Sequence, residues 1–153
     1  MAHSYSKNYQ HIIFGVKFRE AVLDPKHNAE LQKYITGLVK KRKSYLIAIN
    51  NVEDHMHIFI DLYRVYSVSK MVQELKSLSS LFINKKKWYK HHFEWQGGYG
   101  AFSISNTHRW NVITYIKNQQ KHHGAKSFRE EYIETLKQHD VPINDETLFE
   151  ELA

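Results

Sequence analysis

The segment from His55 to Leu62 (HMHIFIDL) constrains the fold of this chain more than any other stretch. Its residue types suit a β-strand, whose side chains alternate between two faces. Met56, Ile58, Ile60 and Leu62 then leave one face, where they can pack under helices. His55 and His57 leave the other face together, and two imidazoles so placed can chelate one metal ion. With 11 histidines in 153 residues, a His-x-His pair arises about once by chance, so the pair alone does not specify a site.

The remaining segments supply a sheet and helices around that strand. Gln10 to Phe18 (QHIIFGVKF) is β-branched and aromatic and reads as a first strand. Asp24 and Pro25 supply an N-cap and a first-turn proline. Leu31, Tyr34, Ile35, Leu38 and Val39 follow at the spacing of a buried helical stripe. Tyr45 to Val52 reads as a second strand, joined to the His55 strand by the short Glu53–Asp54 link of a hairpin. Ser67 can cap a second helix whose apolar face is Val68, Met71, Val72, Leu75, Leu78 and Phe82. The turn Gly97-Gly98-Tyr99-Gly100 precedes a strand from Ala101 to Ser105. Helices are expected over about Thr107 to His123 and about Ser127 to Gln138. The order β-α-β-β-α-β-α describes one α+β domain over residues 1–153, a ferredoxin-like or RRM-like sandwich. Its antiparallel sheet carries helices on one face, with a further helix toward the C-terminus.

Composition narrows the chemistry. There is no cysteine, so disulfides and thiolate metal sites are excluded. A metal must then use imidazole, carboxylate or amide ligands, which suit Mg²⁺ or Mn²⁺, or zinc through imidazole. Residues 1–129 hold 21 Lys and Arg against 8 Asp and Glu, a balance of +13, whereas residues 130–153 hold one Lys against 8 acids, a balance of −7. A basic body with an acidic tail suggests a polyanionic partner for the body. The N-terminus lacks an apolar signal stretch, and no apolar run approaches bilayer length, so a cytoplasmic location is expected.

Two further segments carry candidate functional residues. Tyr115 and Gln119 are four apart on an expected helix and so share a face, with Val112, Ile113 and Ile116 forming a buried stripe beside them. His122 and His123 follow as candidate phosphate contacts. Lys85 to Trp95 (KKKWYKHHFEW) offers cations for phosphates and rings for unstacked bases.

In series, these pieces resemble the single-tyrosine HUH transposases of bacterial insertion sequences, the IS-two-hundred-like group and its REP-associated relatives. The resemblance rests on VEDHMHIFIDL (52–62), WQGGYGAFSIS (95–105), YIKNQQKHH (115–123) and FREEY (128–132), and it covers nearly the whole chain in order. It implies a ferredoxin-like domain that forms a homodimer and acts on single-stranded DNA with hairpin ends. It also implies that His55, His57 and Gln119 hold a divalent metal, Mg²⁺ or Mn²⁺, and that Tyr115 is the catalytic nucleophile. Tyr115 would then cleave and rejoin DNA through a 5′-phosphotyrosine link and a free 3′-OH. Gln120 is adjacent but points about 100° away on an ideal helix. Lys40, Lys41, Arg42 and Lys43, with Lys85, Lys86, Lys87 and Lys90, are candidates for hairpin phosphates. Three other readings fit parts of the sequence: an RRM-like binding module without chemistry, a domesticated relative acting on chromosomal hairpins, and a metallohydrolase using water as nucleophile.

Overall fold

A computed structural model of the chain describes residues 2–17 and 23–144. The first strand, β1 (Tyr9–Gly15), begins one residue before the expected start, and the expected end at Phe18 lies outside the described residues. Asp24 caps, through its side chain, a 3-10 turn at Pro25–His27 that leads into α1 (Asn28–Lys41). The hairpin strands are β2 (Tyr45–Asn51) and β3 (His55–Asp61), closed by a bond from Val52 N–H to the His55 carbonyl at 3.1 Å. The Ser67 hydroxyl accepts from Lys70 N–H and starts α2 (Val68–Lys86), which runs into the Lys85–Lys87 cluster. After β4 (Gly100–Ser103) come α3 (Arg109–Lys117), α4 (Gln119–Ala125) and α5 (Phe128–Gln138).

The strands form one antiparallel sheet in the order β2-β3-β1-β4, with β1 and β3 at its centre. This is the expected ferredoxin-like order, in which α1 and α2 each carry the chain across a neighbouring strand. Met56, Ile58 and Ile60 of β3 and Ile12 and Phe14 of β1 point to one face. There they join Leu31, Ile35 and Val39 of α1 and Met71, Val72 and Leu75 of α2 in the main core. Each of these buried side chains contributes about 1.5–3 kcal/mol relative to leaving it in water. The expectation of helices on one face thus holds for α1 and α2.

The opposite face is also covered. Ile113 and Ile116 of α3 pack on Phe59 and Ala48, while Phe128 and Leu136 of α5 pack on Ile13 and Phe102. Both imidazoles of β3 therefore lie in the interior, between the sheet and the C-terminal helices.

The helix expected from Thr107 to His123 is interrupted. Asn118 (φ −98°, ψ 20°) ends α3, and α4 starts again at Gln119. The break faces β2. Asn50 Nδ2 donates to the carbonyls of Ile116 at 2.9 Å and Lys117 at 3.3 Å, which replaces helical partners at the break. The acidic segment expected from about residue 130 is likewise not a separate tail throughout, because α5 belongs to the fold; residues 145–153 lie outside the described residues.

Candidate functional site

β3 delivers His55 and His57 to the covered face, and register supplies their neighbours. His55 sits opposite Gly15, and His11 is the diagonal cross-strand neighbour of His57, since His11 pairs with Phe59 and His57 with Ile13. A side chain at Gly15 would place its Cβ 2.5 Å from the Phe128 ring. Glycine there lets Phe128 lie flat on His55, with centroids 4.2 Å apart and planes at 11°.

Each imidazole is held through its Nδ1 atom. His55 Nδ1 meets Asp54 Oδ1 at 2.7 Å, and His57 Nδ1 meets His11 Nε2 at 2.8 Å. The two Nε2 atoms face Glu131 of α5, His55 Nε2 at 3.3 Å from Oε2 and His57 Nε2 at 2.9 Å from Oε1. Gln119 closes the group: its Oε1 is 3.2 Å from His55 Nε2, and its Nε2 donates to Glu131 Oε1 at 2.9 Å. The Tyr115 hydroxyl donates to the same Glu131 oxygen. His55, His57, Gln119 and Glu131 are all at most 3% exposed, while Tyr115 is only half-buried.

Electrostatics follow from this packing. Burial alone would raise the Glu131 carboxyl, but hydrogen bonds and charge from His55 and His57 outweigh it and hold Glu131 ionised, far below the usual carboxylate range. Burial would lower His55, yet Asp54 and Glu131 raise it overall. His11 is pushed well below its ordinary value, first by burial and then by His57. Burial, reinforced by Glu131, pushes the Tyr115 phenol far up, so it stays protonated at neutral pH.

The donor set fits a divalent cation. One ligand atom each from His55, His57 and Glu131 lie within 4.8 Å of one another, and the Gln119 amide oxygen adjoins them. Two nitrogens, a carboxylate and an amide oxygen, without sulfur, suit Mg²⁺, Mn²⁺ or Zn²⁺. Asp54 and His11 are the outer partners that orient such ligands.

The structure brings Tyr115, His55, His57 and Gln119 together within one chain, with the Tyr115 and His57 rings 5.7 Å apart. Gln120 turns away to Asn50, at 3.0 Å. Glu131, His11 and Asp54 were not among the sequence candidates. Glu131 had a signal: with Phe128, Thr135 and Leu136 it forms an i, i+3, i+7, i+8 stripe that is buried, and an acid on such a stripe marks an inward charge.

The candidate phosphate contacts are not drawn to this cluster. Lys40, Lys41 and Lys43 are exposed at the end of α1, and Lys85, Lys87 and Lys90 are exposed at the end of α2, in the helical layer on the other face of the sheet. Arg42 is committed to Glu74 at 3.3 Å and to the Leu38 carbonyl at 2.9 Å. Lys86 pairs with Glu30 at 2.6 Å. These two pairs join the end of each helix to the other helix's first half, so the two basic runs lie at opposite ends of the layer. His122 and His123 belong to α4, but their side chains lie outside the described residues.

A ferredoxin-like sheet thus carries a buried imidazole–carboxylate cluster beside a tyrosine. The family described as IS200-like transposases matches residues 4–119, and the chain belongs to that family of DNA-processing enzymes. Two solved structures share the fold. One, a Deinococcus radiodurans R1 protein assigned as a transposase, is 21% identical with a TM-score of 0.58, covering 78% of this chain and 96% of its own. The other is a REP-associated tyrosine transposase bound to a REP hairpin, 20% identical with a TM-score of 0.61, covering 81% of this chain and 73% of its own. A search of curated proteins finds no match. Among the described residues no helix is long and apolar enough to cross a membrane.

Proposed function

We propose that the protein cleaves and rejoins single-stranded DNA through a covalent bond to Tyr115, supported by a divalent metal, Mg²⁺ or Mn²⁺, at His55, His57, Gln119 and Glu131. The observation that carries this reading is the Tyr115 hydroxyl meeting the same carboxylate oxygen that faces His57 Nε2. When bound, the metal supplies positive charge that polarises the scissile phosphate and steadies charge in the transition state.

The chain's own residues do the rest. Tyr115 attacks phosphorus in line, forming a P–O bond to the phenol and breaking the bond to the 3′-oxygen. The phenolic proton leaves toward Glu131, its present acceptor; geometry comes first in naming a base. The products are a 5′-phosphotyrosine and a 3′-oxygen that takes up the displaced proton and departs as a hydroxyl. A second 3′-OH attacking the ester regenerates Tyr115 and joins the strands, so no nucleotide hydrolysis is needed.

Strands with hairpin ends remain the favoured substrate, because a REP-associated relative of the same fold is seen on a hairpin. Lys40, Lys41, Lys43, Lys85, Lys87 and Lys90 are the cations we assign to hairpin phosphates. The expected homodimer would serve to hold two DNA ends.

The test uses labelled single strands from both flanks of the protein's gene with Mg²⁺ or Mn²⁺, run on a denaturing gel. A denaturant-resistant protein–DNA adduct, absent in EDTA and in Tyr115→Phe, is expected. Cleavage that persists in Tyr115→Phe would instead favour water as nucleophile, and tight binding without cleavage would favour a binding module.

A further inference from the structure

Beside the buried cluster lies a cleft of about 800 Å³ between β4, the 3-10 turn at Asn106–His108, α3 and α5. Its size falls within the range of about 300–1,000 Å³ typical of small-ligand sites. Tyr115 belongs to both places: its ring walls the cleft while its hydroxyl meets Glu131 in the cluster. The cluster side chains are buried beneath α5, whereas Tyr115 keeps part of its surface open. A substrate therefore meets the tyrosine from the cleft side.

The lining narrows the occupant. None of its twelve residues is Lys or Arg, in a chain that carries 22 of them. A surface built for phosphates would draw on that supply. Instead Ile104 and Val112 offer apolar walls, and His139, stacked on Phe102 with centroids 4.5 Å apart, adds a flat ring. Asn111 and Gln138 line the same cleft, exposed, and neither amide is engaged in a hydrogen bond among the described residues. A side-chain amide donates and accepts side by side, which is the pattern that pairs with the edge of a base. Apolar walls, a flat ring and amide edges suit a neutral, planar, polar-edged group better than a charged one.

We propose that this cleft receives one unpaired nucleobase, that of the nucleotide adjoining the scissile phosphate, and so sets that phosphate at the Tyr115 hydroxyl. The inference rests on the strand-cleavage reading and adds a base-recognition site to it, with Asn111 and Gln138 as the groups that read the base edge. Flanking nucleotides keep their phosphates outside the cleft, where no cation is required of its walls.

The test is an abasic scan. Single strands from the gene's flanks are made with a tetrahydrofuran residue at each position in turn. Affinity for the wild-type protein is measured in EDTA, where no cleavage intervenes, and compared with Asn111→Ala/Gln138→Ala. One position is expected to lose about tenfold or more in affinity, the scale of one recognised base. The double variant should lose a similar factor on the intact strand and show no further loss at that abasic position, since the two changes remove the same interaction. The position should adjoin the phosphate that becomes linked to Tyr115 when metal is added. An adduct that forms with every abasic position tolerated alike would overturn the base site and leave strand cleavage standing. A position-specific loss that the double variant retains in full would place the base elsewhere and overturn it too. Failure of the intact strand to bind at all would contradict both readings, whereas a position-specific loss cancelled by the variant, without any adduct, would uphold the base site and sink the chemistry.

Discussion

The 2.8 Å line between His11 Nε2 and His57 Nδ1 holds one proton, since two N–H groups aimed at each other repel and two lone pairs leave a buried bond unmade. If His57 Nε2 is a metal ligand, its Nδ1 carries that proton and His11 must accept it. His11 is suited to this, because burial and the neighbouring His57 keep its ring neutral. Replacing His11 with Phe preserves a flat ring but removes the acceptor, and should weaken Mn²⁺ binding by about 10–100-fold. His11→Gln, which restores an acceptor near the same position, should recover most of the affinity. Calorimetric titration of the folded variants checks this; unchanged affinity in His11→Phe would remove His11 from the site's support. Asp54 performs the same office for His55, at 2.7 Å from its Nδ1.

At the scale of elements, the break at Asn118 and the docking of α5 assemble the cluster. Gln119 lies at the first residue of α4 and is fully buried, while Gln120 reaches back to Asn50. Asn50 is thus a clamp between β2 and the α3–α4 junction. Asn50→Ala leaves the Ile116 carbonyl without this donor and should destabilise the fold by about 1–3 kcal/mol in urea unfolding. A change near zero would mean that water or the helix itself takes over the bond. α5 is held over His55 by Phe128, which the bare backbone of Gly15 admits. Gly15→Ala must shift that ring, and overpacking of this kind costs about 1–3 kcal/mol. Metal affinity measured on the same variant should fall with stability, because Glu131 rides on α5.

At the scale of the molecule, the two lysine runs and the buried cluster occupy opposite faces of one sheet. The exposed lysines at the ends of α1 and α2 lie in the layer away from Tyr115. Reversing Lys40, Lys41 and Lys43 to Glu should weaken DNA binding. It should also flatten the salt dependence by nearly one power of salt concentration for each phosphate that the variant no longer neutralises. Affinity that is unchanged at moderate salt would remove that run from the interface. Much of this plan is legible in the sequence. Period-two alternation in β3 separates His55 and His57 from Met56 and Ile58. Tyr115 and Gln119 both reach Glu131, but from two helices and not from one face of a single helix, because the chain breaks at Asn118. His11 stays hidden because its partner is set by strand register, and the stripe that carries Glu131 is masked by an acidic neighbourhood that resembles a solvated tail.

A bond between Tyr115 and DNA is visible by mass spectrometry of the proteolysed adduct formed with a flank-derived single strand and Mn²⁺. The peptide spanning Tyr115 should carry the DNA through a 5′-phosphate on the phenol, with a free 3′-OH on the released strand. A cross-link at any other residue, or products cut cleanly with no DNA on the protein, would contradict it.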